Sequence, residues 1–208
     1  MSVPNATVYV IDDDASIRKA MTRMFKSLDL QVLTFENADE FLHYPRPDQA
    51  GCLILDVYMP GLSGIQLQQQ LVASDFDLPI VFITGEGDIP MTVQAIQAGA
   101  IDFLPKPVDD QKLIDTVQQA IDRNARERTE LVQRREFRDR FGSLSKREND
   151  VIMLVICGLL NKQIARRLGI TENTVKVHRG RAMVKTEVDS VAELVRLCEH
   201  AGIAPAED

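Results

Sequence analysis

Cys52-Leu53-Ile54-Leu55-Asp56-Val57-Tyr58-Met59-Pro60-Gly61 opens on four uninterrupted apolar residues and closes on a Met-Pro-Gly stop. An apolar run without polar alternation reads as a strand buried on both faces, as in a parallel sheet, and Pro-Gly ends it. Asp56 then stands at the carboxyl end of a central strand, where connecting loops splay apart and open α/β sheets bind ligands. A carboxylate at that edge is a ligand or a nucleophile, or else it caps the following helix. The ends of the other strands bear on which.

Outward from this stretch, Thr7-Val8-Tyr9-Val10-Ile11 is a β-branched and aromatic run that ends in Asp12-Asp13-Asp14, with a helical pattern following through Ile17, Met21, Met24, Phe25 and Leu28. Residues 30–35 read as a second strand and 38–42 as a short helix; a helix around 65–71 follows Asp56. Pro79-Ile80-Val81-Phe82-Ile83 is a fourth buried strand, ending in Thr84-Gly85 before a helix over 89–98. Ile101-Asp102-Phe103-Leu104 is the fifth, ending in Pro105-Lys106-Pro107. Strands alternating with helices in this way predict an α/β, doubly wound parallel sheet with right-handed crossovers.

The 208 residues carry a net charge of −7 that is unevenly shared. Up to Ile121 there are 17 Asp/Glu against 7 Lys/Arg, and from Asp122 onward 14 against 17, so an acidic domain is joined to a basic one. No apolar run approaches a bilayer span, and Met1-Ser2-Val3-Pro4-Asn5 has neither a basic nor an apolar signal region, so a soluble, cytoplasmic protein without membrane contact is expected. Cys52, Cys157 and Cys198 are isolated within apolar runs and read as buried thiols in a reducing compartment.

Aspartates on adjacent loops repel one another unless a cation joins them, and oxygen-only ligands suit a hard ion. Asp12, Asp13 and Asp56 therefore make a candidate Mg2+ site. Lys106 adds an ammonium and Thr84 a hydroxyl at the same edge. An acidic nucleophile, a hard cation, an ammonium and a hydroxyl donor suit acceptance of a phosphoryl group, where positioning and charge neutralisation do most of the work. Asp14 reads as a helix cap and Asp102 as a solvated turn residue.

With Ile-Asp-Asp, Leu-Asp-Val-Tyr-Met-Pro-Gly, Ile-Thr-Gly and Pro-Lys-Pro at successive strand ends, residues 1–121 resemble the receiver domain of bacterial two-component response regulators. The resemblance implies strand order 2-1-3-4-5, the flavodoxin-like order. It implies that Asp56 is the phosphoacceptor, served by a sensor histidine kinase, and that Asp13, Asp56 and the Tyr58 backbone carbonyl bind Mg2+ directly, with Asp12 acting through water. Lys106 would contact the phosphoryl group and Thr84 would hydrogen-bond it on activation. Phe103 falls at the family's aromatic switch position, and Pro107 where a cis bond is frequent.

Between Pro107 and Gly142 there is neither Gly nor Pro. Ile114, Val117 and Ile121 keep a helical stripe, after which 122–140 turns polar, with 7 Arg against five acids. One helix reaching to about Phe141 is expected, 122–141 being a helical linker; a disordered charged linker is the alternative.

The basic half opens at Ser145 with Glu148 at capping-box spacing. A second helix over 162–168 stops at Gly169, a third spans 171–185 behind Thr171, and a fourth runs from Ser190 to about Ala201. Two helices joined by Gly169-Ile170-Thr171 form a helix-turn-helix. From Lys146 to Lys185 there are 9 Lys/Arg against three acids, the footprint that phosphate contacts need. Leu144-Ser145, Arg147-Glu148, Gly158, Asn161-Lys162, Ile164-Ala165, Leu168, Ile170-Thr171-Glu172, Thr174-Val175-Lys176, His178 and Lys185 resemble the four-helix, all-α LuxR/FixJ/NarL DNA-binding domain over 142–201, within a domain expected to span 142–208. That likeness implies that Lys176 and Val177 face base edges, with Thr174, His178, Arg179 and Arg181 toward bases or backbone. Gly180 stands where many relatives carry a longer or basic side chain, and Thr186 where an apolar core residue is usual.

The function implied is a response regulator that activates transcription on phosphorylation at Asp56, with promoter DNA, RNA polymerase and a second copy of the chain as partners. Val191, Leu194 and Val195 offer a second dimer contact. Two rivals stand beside it. One is a receiver that signals only by protein contact; the other is an aspartyl-phosphate phosphohydrolase, whose second Asp is replaced by Tyr58.

Overall fold

In the computed structural model, alternation along each strand sorts the apolar side chains onto two faces. The structure describes residues 6–45, 49–74, 76–85 and 89–204; the N-terminal residues that bear on a signal region lie outside them. Strands β1 (Thr7–Ile11), β2 (Gln31–Phe35), β3 (Gly51–Asp56), β4 (Ile80–Thr84) and β5 (Asp102–Pro105) pair in parallel in the order β2-β1-β3-β4-β5. Asp102 thus lies in the fifth strand, as the run predicts, and is half-buried at its start, not a solvated turn residue.

Helices α1 (Ala15–Lys26), α2 (Ala38–His43), α3 (Gly64–Ala73), α4 (Ile89–Gln97) and α5 (Asp110–Gly142) follow the strands in turn. Val8, Val10, Cys52, Ile54, Val81 and Ile83 bury against Met21 and Phe25 of α1 and Leu113, Val117 and Ile121 of α5. Their neighbours Tyr9, Ile11, Leu53, Leu55 and Phe82 bury against Phe41 of α2, Leu67 and Leu71 of α3 and Ala95 of α4. Each fully buried Leu, Ile or Phe contributes on the order of 1.5–3 kcal/mol, and sheet and helices hold each other through these two layers.

The chain divides into two compact units, Met1–Arg128 and Thr129–Asp208. Within the first, the α5 residue Asn124 is buried and both ends of its amide are used. Oδ1 accepts from the Gly51 amide at 3.1 Å and Nδ2 donates to the Asp77 carbonyl at 2.7 Å. Arg128 reaches the Asp77 carboxylate at 2.5 Å. The helix expected to pass Ile121 without a break does so, running to Gly142.

In the second unit, α6 (Lys146–Ile156), α7 (Asn161–Leu168), α8 (Glu172–Thr186) and α9 (Val191–Ala201) enclose Val151, Ile152, Ile164, Val175, Ala182, Leu194 and Cys198. Phe137 and Phe141, from the end of α5, belong to this same core. Ser145, Thr171 and Ser190 each cap a helix with the side-chain oxygen, and Gly169 ends α7 at φ 66°, where a side chain would be strained.

Two expectations change here, and a third position is explained. Leu194 is wholly buried inside its own unit, so it is not open to a dimer contact. Cys157 is exposed, because it follows the last buried turn of α6 as its C-cap. Thr186 is buried without an orphaned hydroxyl: Oγ1 donates back to the Ala182 carbonyl at 2.9 Å, which lets a polar residue occupy an apolar position. Among the described residues, no helix is long and apolar enough to cross a membrane.

Candidate functional site

The register that aligns Ile11 with Leu55, and Thr84 with Pro105, brings four strand ends to one edge of the sheet. Asp12 and Asp56 follow β1 and end β3 side by side, and their carboxylates share the Lys106 ammonium. Nζ lies 2.8 Å from Asp12 Oδ2 and 2.6 Å from Asp56 Oδ2. The other oxygen of each is held by a backbone amide two residues on, Asp12 Oδ1 by Asp14 at 2.8 Å and Asp56 Oδ1 by Tyr58 at 3.2 Å. Both side chains are therefore fixed from two directions.

Asp13 is exposed, yet it offers an oxygen to the same cluster: one carboxylate oxygen from each of Asp12, Asp13 and Asp56 lies within 4.8 Å of the others. Three carboxylates against one ammonium leave a formal charge of −2 around an all-oxygen donor set. That combination fits a hard divalent cation and is compatible with Mg2+. Asp12 has no solvent exposure, and this burial pushes its carboxyl above the ordinary range although Lys106 opposes the shift. Burial pulls the Lys106 ammonium down, but its hydrogen bonds to Asp12 and Asp56 outweigh this and leave it above the ordinary lysine value.

The remaining predicted residues surround the cluster. Thr84 is buried at the end of β4, and its carbonyl accepts from the Lys106 amide at 2.7 Å. Phe103 is half-buried on β5 with its ring 5.8 Å from that of Phe82. Tyr58 is about half exposed, and the Lys106–Pro107 bond is cis. Asp14 caps α1, accepting from the Ser16 amide at 2.7 Å.

Two residues were not singled out in the sequence. Arg18 Nη1 donates to the Asp12 carbonyl at 2.6 Å, anchoring the acidic turn to α1. Gly64 begins α3 so close to β3 that a Cβ there would stand 2.2 Å from the Asp56 carbonyl oxygen. Only glycine allows this approach. Neither has a sequence signal beyond its place one turn into a helix or at its start.

In the second unit, the helix-turn-helix is formed by α7, Gly169–Thr171 and α8. Lys176, Val177 and Arg181 are exposed; Thr174, His178 and Arg179 are half-buried. Thr174 Oγ1 lies 2.8 Å from Thr171 Oγ1, and Arg179 Nη1 donates to Asn161 Oδ1 at 3.4 Å, so both also serve the turn. His178 Nδ1 is buried without a hydrogen bond among the described residues.

The C-terminal end of α8 is held by Lys185, whose Nζ is 2.7 Å from Glu148 Oε2. Glu148 also accepts from the Ser145 amide at 2.9 Å, closing the capping box of α6. The Lys185 hydrogen bond first, and the Ser145 amide second, hold the Glu148 carboxyl at about 2 against an ordinary 4.5. A depressed carboxyl stabilises the fold above its ordinary value and loses that contribution as pH falls toward the depressed one. The Tm difference between Lys185→Met and the unaltered chain is therefore expected to be largest near about pH 6 and to shrink as pH falls below about 4.5. A difference independent of pH would refute the pairing.

Two family models match the chain: the response regulator receiver domain over residues 8–118, and the luxR family of bacterial regulatory proteins over 142–198. The chain is 45% identical to nodulation protein W of Bradyrhizobium diazoefficiens, over 96% of this chain and 88% of that protein. It is 40% identical to the transcriptional regulatory protein FixJ of Azorhizobium caulinodans, over 97% and 95%. Among solved structures, the low-resolution structure of response regulator StyR is similar at 50% identity, with a TM-score of 0.85 over 94% of this chain and 98% of that one.

Proposed function

The chain belongs to the response regulators that join a receiver to a LuxR-family DNA-binding domain, and from that membership we propose that it activates transcription when Asp56 is phosphorylated. The supporting observation is the Lys106 ammonium held between Asp12 and Asp56, with an oxygen of Asp13 within 4.8 Å of both carboxylates. One domain is the receiver, 1–121, another the DNA-binding domain, 142–208, and 122–141 is the helical linker between them.

An Asp56 carboxylate oxygen attacks the phosphorus of a phosphohistidine on a sensor kinase. The new O–P bond forms as the P–N bond breaks, and the departing imidazole takes a proton. Asp13, Asp56 and the Tyr58 carbonyl would hold Mg2+ directly, and Asp12 through water; bound there, the ion offsets negative charge on the carboxylates and the incoming phosphoryl oxygens. Lys106 neutralises charge on the transferred group from the opposite side. Thr84 donates its hydroxyl to the phosphoryl group, and Phe103 repacks with it. This shifts the population toward a form that pairs with a second copy.

Thr174, Lys176, Val177, His178, Arg179 and Arg181 address promoter DNA, and the bound dimer works with RNA polymerase in the cytoplasm. The receiver's only chemistry is the gain and loss of its own phosphoryl group.

The test uses the intact chain with acetyl phosphate and Mg2+. About one alkali-labile, hydroxylamine-labile phosphate per chain is expected, together with tighter retention of promoter duplex on a filter and a steep salt dependence. Phosphate uptake with no retained duplex would leave the receiver chemistry standing and remove the DNA-binding reading.

A further inference from the structure

At the end of the sheet opposite the acidic cluster, where β4 and β5 begin, a cavity of about 230 Å³ lies between α3, the turn after α4, and α5. Leu71, Phe76, Leu78 and Ile101 give it apolar walls, and exposed Arg123 and Glu127 stand at its rim. Gln68 of α3 lines it too and is 1% exposed. Its Nε2 donates to the Ala95 carbonyl of α4 at 3.0 Å, while Oε1 is buried without a hydrogen bond among the described residues. Turning the amide round would set its oxygen against the Ala95 oxygen, so the unpaired atom is the acceptor.

Buried acceptors nearly always find a donor, whether from protein, water or ligand. A cavity beside such an acceptor, with apolar walls and few polar groups, has the composition of a small-molecule site. An apolar cavity of about 150 Å³ holds benzene, so this one has room for a ring with a short substituent. The rim sets the charge. Arg123 Nε lies 2.7 Å from Glu127 Oε1, and the carboxylate of Asp77, which also borders the cavity, pairs with Arg128 at 2.5 Å. With each cation matched by an acid, the rim offers no net charge to hold an ion.

We propose that this cavity binds a neutral small molecule of ring size that carries one O–H or N–H donor: the donor bonds Gln68 Oε1, and the ring lies on Leu71, Phe76 and Leu78. The site shares no residue with the phosphoryl or DNA chemistry above and goes beyond that reading. Its place in the fold gives occupancy a consequence. Asn124 Nδ2 donates to the Asp77 carbonyl and Arg128 holds the Asp77 carboxylate, so the loop that walls the cavity is tied to α5. A guest lodged between that loop and the Arg123–Glu127 turn stabilises the joint between α5 and the sheet, as an input separate from Asp56.

The test titrates the full-length, isotopically labelled chain with phenol, with fluorobenzene as a ring of the same size without the donor, and with benzoate as a charged counterpart. Saturable shifts of the Leu78, Ala98 and Gly99 amide resonances are expected with phenol, at a Kd about fivefold below that of fluorobenzene, the scale of one hydrogen bond. Benzoate should bind more weakly than either. Gln68→Met keeps the reach of the side chain without its acceptor, and should bring the phenol and fluorobenzene affinities to about the same value. It leaves no orphan on α4, because the Ala95 carbonyl also accepts from the Ala100 amide at 3.0 Å. Ala98→Phe, which places a ring at the cavity wall, should abolish binding of both neutral probes while Asp56 takes up phosphate from acetyl phosphate as before. Shifts that do not saturate, or that scatter over the surface for all three probes, would overturn the site, assign water to Gln68 and leave the response-regulator reading intact. An unchanged preference for phenol in Gln68→Met would also overturn it, by placing the donor elsewhere.

Discussion

Asp56→Asn is expected to take up no phosphate from acetyl phosphate at any Mg2+ concentration, and its affinity for duplex should not respond to the phosphodonor. The substitution keeps the shape of the side chain and its acceptor for the Tyr58 amide but removes the nucleophilic oxygen. Lys106→Ala should behave differently. Asp56 remains, so phosphorylation proceeds, but without the ammonium that lies 2.6 Å from it. The rate should fall by about 10²- to 10³-fold, the scale on which one preorganised electrostatic contact acts. Phosphate incorporation is measured by mass shift over time. One phosphate per chain on Asp56→Asn would place the acceptor elsewhere; an unchanged rate in Lys106→Ala would mean that the ammonium holds the resting cluster together and takes no part in transfer.

Phe137→Ala should separate the two halves of the molecule functionally. The ring is 1% exposed, packs 6.0 Å from that of Phe141 and belongs to the same core as Val151, Ile152 and Leu194. Truncating a buried Phe costs about 3–5 kcal/mol, a large part of what a unit this small has available. A fall of about 15 °C or more in the unfolding transition of the helical unit is expected, with loss of duplex binding and an unchanged rate of Asp56 phosphorylation. Leu131→Ala, on the same helix but at a side chain 50% exposed, should change stability by less than about 1 kcal/mol. Equal effects of the two substitutions, followed by calorimetry, would show that the ring at 137 is not core.

The receiver was legible because its three central strands, β1, β3 and β4, are buried on both faces and so read as nearly continuous apolar runs. Four of the five strands, all but β2, end in or next to a residue whose chemistry is out of place there: Asp12, Asp56, Thr84 or Lys106. What remained hidden depends on distances no local pattern encodes. Gly64 looks like any glycine at a helix start until the Asp56 carbonyl is found 2.2 Å from its missing Cβ. Asn124 looks like one more polar residue in a polar helix, although its amide joins β3 to the loop before β4. Leu194 and Val195 are adjacent in an amphipathic helix, and periodicity alone did not tell an inward leucine from one free to meet a partner. Thr186 stood out as polar at a core position for the opposite reason: a hydroxyl bonded to its own helix behaves as an apolar group.

The two phenylalanines that close α5 also bear on how such proteins exchange parts. A head excised at Gly142 would arrive without Phe137 and Phe141, leaving a void in its interior. Gene fusions that graft this reader onto a foreign sensor module therefore need their junction upstream of residue 137, within the polar turns of the helix, where no side chain of either interior is severed from its neighbours.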